Sequence, residues 1–533
     1  MSAEVHYKGR LVDSSFIRPQ HPINLVLCLD GTQNEFGLLP FSNSLRFFQL
    51  LDKDDVRQIS YYQPGVGVKF TSSVNQNVIN GNLKTLGRQI DAVFAFTFEL
   101  HVKAAYMFLM RYYQPEDRIY IIGFSRGSFA GRILAGMLES VGLLNKGLEE
   151  MVNTAWEIYC NWENSGQPNN EAFATNLVTE FRKTFCRTQV KIRFMGLFDS
   201  VNSVGLLKDK MFPYTSKSSI VEHVRHAVSI DERRGKFKQV LFEAFSYFPH
   251  LTDLEYEDCV DIDDNKSFVY TGNVYLNRLT DLIRKLLGRP PLNRRIDDDC
   301  TCQDIKEVWF PGNHGDVGGG WKPDEGTNQC LSNMSLRWML SQAIEFGIIF
   351  RPRSIHDFDQ SHPNLATFLS YNHDILSLKH QRDMNHDRYL KLPSYPIIGS
   401  KGNGASSIFQ VLFWWAIELL PIGIKVEDEN GQWKNIYIPN LGRNRKMPPN
   451  ASLHWSVFYR LHYFKDYMPG NLPDDLGPKF LSSIGFSSLA ATPEYQHFAE
   501  NLTIEKIKND WNSNVWQTLP DELQEILKEN PDI

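Results

Sequence analysis

Residues 119–134 read IYIIGFSRGSFAGRIL: an apolar run, the turn Gly123-Phe124-Ser125-Arg126-Gly127, and then a row of small and aliphatic residues without a break. A strand that reverses abruptly into a helix crowds its own backbone, so glycines flank the turn and the central residue is lifted to its point. A serine there has its hydroxyl above the sheet edge and a helix N-terminus behind it to stabilise negative charge. That hydroxyl is a poor nucleophile until a histidine takes its proton, and the histidine needs a carboxylate to hold its tautomer. In the doubly wound hydrolase order the acid and then the histidine follow the serine, each at the carboxyl end of its own strand. Asp199 closes the run VKIRFMGLFDSV, and His314 follows the run IKEVWF in PGNHGDVGGGW. Of the fifteen histidines, only His314 directly follows a strand-like run and opens a glycine-rich loop. Asp231, in SIDERR, and Asp316 stand as alternative acids.

Acyl transfer also needs two backbone N–H donors for the oxyanion, one from the residue after the nucleophile and one from an earlier loop. Arg126 supplies the first, and the Asp30-Gly31-Thr32 turn offers Gly31 or Thr32 for the second. The side chains of Asp30 and Arg126 are expected to brace these loops. Gly123, Gly127 and Asp316 support the site. The run GDVGGG, 315–320, lacks the spacing of a phosphate-binding loop and reads as flexible support for His314. Arg233 and Arg234 could hold a phosphate or headgroup, but adjacent charges of this kind more often serve a solvated face or internal salt bridges.

The elements that must position these residues are legible from periodicity. Short aliphatic runs, beginning with INLVLCLDGT, end in polar turns and alternate with stretches of helical spacing. Runs apolar on both faces imply a mainly parallel sheet covered by helices, so the fold class is α/β, doubly wound and hydrolase-like, with helical insertions. After Ser125, the residues Phe129, Ile133, Leu134, Met137 and Leu138 share one helical face. The expected organisation is an N-terminal extension over 1–20, a catalytic core over 21–345 and a C-terminal lobe over 346–533 packed on the core. The core carries an excursion at about 239–304, whose basic stretch around Arg284 and Lys285 could act as a lid or touch anionic lipid.

A chain of 533 residues with 42% hydrophobic and 22% charged residues is that of a globular protein with ample core. Its formal net charge of −6 excludes the basic footprint of a nucleic-acid binder. Seven scattered cysteines, with Cys300 and Cys302 spaced C-x-C, indicate neither a disulfide framework nor a zinc knuckle and fit a reducing compartment. No secretory h-region is visible at the N-terminus. The most membrane-like segment, IFQVLFWWAIELLPIGI at 408–424, carries Gln410, Glu418 and Pro421 and reads as a buried or amphipathic helix. Trp414 and Trp415 leave an interfacial contact open, so the expectation is a cytoplasmic protein that can lie peripheral to a membrane.

The blocks CLDGT, GFSRGSFAGRILAGMLESVGLL, FMGLFDSV, HAVSIDERRGKF and VWFPGNHGDVGGGW, in this order, resemble the α/β-hydrolase family named for the catalytic domain of type VI secretion phospholipase effectors. FWWAIELLP and LHWSVFYRL are similar to segments of its eukaryotic members, so the likeness spans roughly 21–470. The resemblance implies Ser125, Asp199 and His314 as the catalytic residues. It further implies esterase chemistry on a lipid, most naturally a phospholipid, with no metal or organic cofactor. Two other readings compete: a metal-dependent phosphoesterase using Asp30, His314 and Asp316, and a non-catalytic lipid-binding or scaffolding protein on the same fold.

Overall fold

Unalternating apolar runs belong in a sheet covered on both faces, and the computed structural model of the protein places them there. It describes residues 22–31, 40–65, 83–164, 180–187, 190–202, 218–242, 304–324, 328–377, 408–420, 423–427, 433–437, 439–445, 451–457, 469–472 and 523–530, with a few single positions between and after them. The N-terminal extension, Thr32, most of the 239–304 excursion and the basic stretch at Arg284 and Lys285 lie outside the described residues, as do Cys300 and Cys302.

The strands of the central sheet are β1 (Asn24–Leu29), β2 (Gln58–Gln63), β3 (Arg118–Phe124), β4 (Ile192–Phe198), β5 (Val221–Ser229), β6 (Asp304–Phe310) and β7 (Ser452–Leu453). The helices that matter here are α1 (Asn43–Leu50), α2 (Leu83–Tyr112), α3 (Arg126–Ser140), α4 (His314–Gly318), α5 (Ser332–Glu345), α6 (Ser354–Ser361) and α7 (Ile408–Leu419). The seven strands form one sheet in the order β7-β6-β5-β4-β3-β1-β2, and each neighbouring pair is parallel. This is a doubly wound α/β fold of the hydrolase type.

The period of two along each strand divides its side chains between two cores. Leu25, Leu27, Leu29, Ile119 and Ile121 join Phe98 and Val102 of α2 and Phe129 and Ile133 of α3. Val26, Cys28, Tyr120 and Ile122 join Phe47 of α1 and Leu336 and Met339 of α5. Every residue of β1 is buried, and each large apolar side chain so covered contributes roughly 1.5–3 kcal/mol.

Strand order reverses between β1 and β3: the chain leaves β1 for β2 on one side and returns to β3 on the other. In open parallel sheets a crevice opens at such a point beyond the carboxyl ends of the strands. Leu29 is in register with Gly123, and Phe124 with Phe198. Asp30, Ser125 and Asp199, each one residue further on, therefore reach the same rim.

Buried apolar residues from both sides of 345/346, where the C-terminal lobe packed on the core was expected to begin, share one cluster. Ile348 and Phe350 are buried in the same cluster as β1, together with Leu453, Trp455, Leu523 and Leu527. β7 extends the central sheet by pairing with β6, Ser452 opposite Val308 and Leu453 opposite Trp309. Among the described residues no helix is long and apolar enough to cross a membrane, and Cys28, Cys160, Cys186 and Cys330 are free thiols.

Candidate active site

The turn after β3 is built as its glycines demand. A Cβ at Gly123 would meet the Ser128 backbone at 2.6 Å, and one at Gly127 would lie 2.3 Å from the Leu29 carbonyl oxygen. Ser125 itself is held at φ 57°, ψ −124°, a backbone state that costs a non-glycine residue on the order of 1–3 kcal/mol. Its N–H donates to the Phe198 carbonyl at 2.9 Å, tying the turn to β4. Asp199 also has a positive φ, 42°, and its N–H donates to the Ala227 carbonyl at 2.7 Å. Two residues of one rim are thus strained, and backbone strain of this kind collects at functional sites.

His314 opens α4. The expected flexible loop is a capped helix: the Asn313 side chain accepts from the N–H groups of Gly315 and Asp316 at 2.9 and 3.0 Å, and the Asp316 carboxylate accepts from the Asn313 N–H at 3.0 Å. This reciprocal capping box fixes the helix start. Gly318 lets Phe124 pack beneath, since a Cβ there would lie 1.7 Å from the ring.

The three residues meet. His314 Nδ1 lies 2.5 Å from Asp199 Oδ2 and Nε2 lies 2.7 Å from Ser125 Oγ. All three are buried, and the rings of Phe124 and Phe237 flank the imidazole at 4.8 and 4.7 Å between centroids. Asp199 also accepts from the Ser229 N–H at 2.9 Å, and Arg445 grips both its oxygens at 2.6 and 2.9 Å. Burial opposes ionisation of Asp199, but Arg445 and His314 outweigh it and hold the carboxyl well below the usual range. Ionised, Asp199 is acceptor only, so Nδ1 carries the proton and Nε2 of the neutral ring accepts from the serine hydroxyl. Burial lowers the proton affinity of His314, and Asp199 and Glu232 partly restore it.

The alternative acids point elsewhere. Asp231 accepts from the Gly312 N–H, the Asn372 amide and the Tyr467 hydroxyl at 2.7, 2.9 and 3.0 Å, and burial pushes it up to about 6. Asp316 accepts from His373 Nδ1 at 2.6 Å and from the His373 N–H at 2.8 Å. Asp30 accepts from Ser42 Oγ at 2.6 Å and from the Tyr62 hydroxyl at 2.8 Å. With Asp30 and Asp316 so engaged, the ligand set of the competing metal reading, Asp30, His314 and Asp316, is not assembled. No three His, Cys, Asp or Glu side chains group as metal ligands among the described residues.

Gly31 departs from the role expected of it. Its N–H donates to Asp30 Oδ1 at 2.7 Å, because the short acidic side chain reaches the next amide. Arg126 is the first residue of α3, where helical N–H groups have no partner within the helix. Arg233 and Arg234 lie on the loop after β5 and are internally paired, Arg233 with Asp374 at 2.6 Å and Arg234 with Glu232 at 2.7 Å. Glu232 accepts in addition from the His314 N–H at 3.2 Å, and Arg234 holds it down to about 2 against its burial. The Arg234 guanidinium is stacked on Phe237 and Trp414, 3.8 and 4.7 Å from their ring centres.

Sequence reasoning did not find Arg445 or Glu232. Glu232 was within reach, one residue past Asp231 on the loop that follows β5. Arg445 had no local signal, since Arg443 and Lys446 beside it carry the same charge.

A family model described as "T6SS, Phospholipase effector Tle1-like, catalytic domain" matches residues 23–342. Among curated proteins, "Uncharacterized protein YEL023C" of Saccharomyces cerevisiae is 37% identical, the alignment covering 95% of each chain. Two solved structures align at a TM-score of 0.33. One is an uncharacterized protein from Pseudomonas aeruginosa, 18% identical over 65% of this chain and 50% of its own. The other is the Tle1 effector bound to the VgrG spike from the type 6 secretion system, 14% identical over 66% of this chain and 79% of its own. The chain belongs to the family of Tle1-like phospholipase effector catalytic domains.

Proposed function

We propose that the protein is a serine hydrolase that cleaves an acyl ester of a phospholipid. The observation that carries this reading is the single imidazole bridging Ser125 Oγ at 2.7 Å and Asp199 Oδ2 at 2.5 Å. Ser125 Oγ attacks the ester carbonyl while its proton passes to His314 Nε2, and Asp199 stabilises the imidazolium that forms. The tetrahedral oxyanion is met by the Arg126 N–H and by a second backbone donor from the turn after β1, where the sequence offers Gly31 or Thr32. Collapse expels the alcohol, which takes the proton back from Nε2 and leaves an acyl-serine. Water then attacks through the same base, releasing the fatty acid and the free serine.

Support for a lipid substrate comes from family membership and from the surface beside the site. On α7, Leu412, Phe413 and Leu419 are 53, 62 and 58% exposed. The same helix sends Trp414 against Phe237, 5.6 Å between ring centres, and Phe237 covers His314. An apolar face so close to the nucleophile suits a substrate drawn from a lipid surface, with the protein peripheral to it.

The test is hydrolysis of a phospholipid panel presented in vesicles, wild type beside Ser125→Ala. Release of fatty acid by the wild type and its loss in the variant are expected. Binding to vesicles that the substitution leaves unchanged, with no ester cleavage from either protein, would favour a non-catalytic lipid-binding protein instead.

A further inference from the structure

We propose that Arg445 is a positioning residue of the Ser125 site, one that fixes the orientation of Asp199 and limits how much proton affinity Asp199 lends to His314. This rests on the serine-hydrolase reading above.

Arg445 is 95% buried, its exposure being 5%. Its guanidinium is committed around one carboxylate. Nη1 donates to Asp199 Oδ1 at 2.6 Å, to Ser229 Oγ at 2.8 Å and to the Ser229 carbonyl at 3.1 Å. Nη2 donates to Asp199 Oδ2 at 2.9 Å and to the Phe237 carbonyl, which also accepts from Nε at 3.1 Å. A planar fork on both oxygens sets the rotation of the carboxylate, which a point charge cannot do.

The charges facing His314 are balanced. Asp199 comes from the end of β4 and Glu232 from the loop after β5; Arg445 neutralises the first and Arg234 the second. Ser125 and the rings of Phe124 and Phe237 complete the surround. Asp316, on the histidine's own helix, is turned to His373. Without Arg445 the imidazole would face one uncompensated carboxylate. It would then hold a proton to higher pH and be scarcer as a base at neutrality.

Arg445 also lies beyond the 23–342 region that defines the family, and its segment is anchored near the site. The Gly442 N–H donates to Glu418 at 3.2 Å, and the Asn440 amide to the Arg233 carbonyl at 2.8 Å. The catalytic unit of this chain therefore includes a piece of its C-terminal third.

The experiment follows the rate of fluorophosphonate labelling of the full chain from pH 4.5 to 9, with thermal unfolding measured in parallel. Arg445→Met keeps the stem and removes both the charge and the fork; its acid limb should move up by about 1 pH unit or more, and the displaced limb together with the lost fork should slow labelling at pH 7 at least ~10-fold. Arg445→Lys keeps the charge and loses the fork; its limb should stay within about half a unit of wild type while the maximal rate falls about 10-fold. If Arg445→Met does not fold, the lysine variant decides, and a wild-type maximal rate would overturn the proposal. A folded Arg445→Met with an unmoved limb, its only change a lower melting temperature, would also overturn it and leave Arg445 as an anchor. Equal labelling of wild type and Ser125→Ala would instead defeat the serine-hydrolase reading itself.

Discussion

Two buried carboxylate–imidazole pairs share helix α4 and stand in different surroundings. His314 Nδ1 sits 2.5 Å from Asp199, and Asp316, two residues along, sits 2.6 Å from His373 Nδ1. The first pair has a serine hydroxyl on Nε2 and an arginine behind the carboxylate. In the second, Trp321 stacks on the imidazole at 4.2 Å and 8° between planes, and the carboxylate is occupied in capping the helix and holding the His373 N–H. The difference teaches that an Asp–His contact is no signature of catalysis. Under the proposed function, what stands on the far nitrogen, and what charge stands behind the acid, separates a pair that moves a proton from one that fastens a loop.

The comparison can be broken at the reacting side first. Ser125→Ala and His314→Ala should each lower kcat by on the order of 10⁴ to 10⁶, and the double variant should be no worse than either, because the residues act as a unit. Additive losses in steady-state assays would contradict a shared proton path. Asp199→Asn should cost about 10⁴ in kcat by presenting the wrong tautomer of His314, with the fold retained by circular dichroism.

The second pair should respond in the opposite currency. His373→Gln is expected to lower stability by roughly 1–3 kcal/mol in denaturant unfolding, the usual cost of a broken buried hydrogen bond. Its kcat should stay within about tenfold of wild type, since no reacting atom touches it. A loss comparable to that of Asp199→Asn would mean that both pairs serve the chemistry.

The smallest effect is in pH. Burial lowers the proton affinity of His314 in the folded protein, so the active, neutral ring persists below the ordinary histidine value of about 6.5. The kcat/KM profile should therefore rise with pH along an acid limb centred below that value and be flat at neutrality. A limb centred above about 6.5 would show that Asp199 and Glu232 outweigh burial.

Much of this was legible in the sequence because it is local. The strand ends, the elbow glycines and the run after Ser125 that α3 buries all follow from spacing and sterics within about twenty residues. Parallel register then brings Ser125 and Asp199 to one rim, and the capped start of α4 delivers His314 to it. The signals misread were also local. Asn313 and Asp316 spell a capping box, which makes the glycine-rich stretch a fixed helix start, and an aspartate before Gly31 can take that residue's own N–H. What sequence could not show was Arg445, whose contact with Asp199 spans 246 positions. Nor could it show that β7 closes one edge of the sheet, since two residues carry too little pattern to announce a strand.

The most direct measurement is to treat the full chain with a fluorophosphonate and map the adduct by peptide mass spectrometry, in wild type, Ser125→Ala and His314→Ala. A single adduct on Ser125, absent from the first variant and formed far more slowly in the second, is the predicted result. An adduct on another residue, or modification of Ser125 at an undiminished rate without His314, would contradict the account.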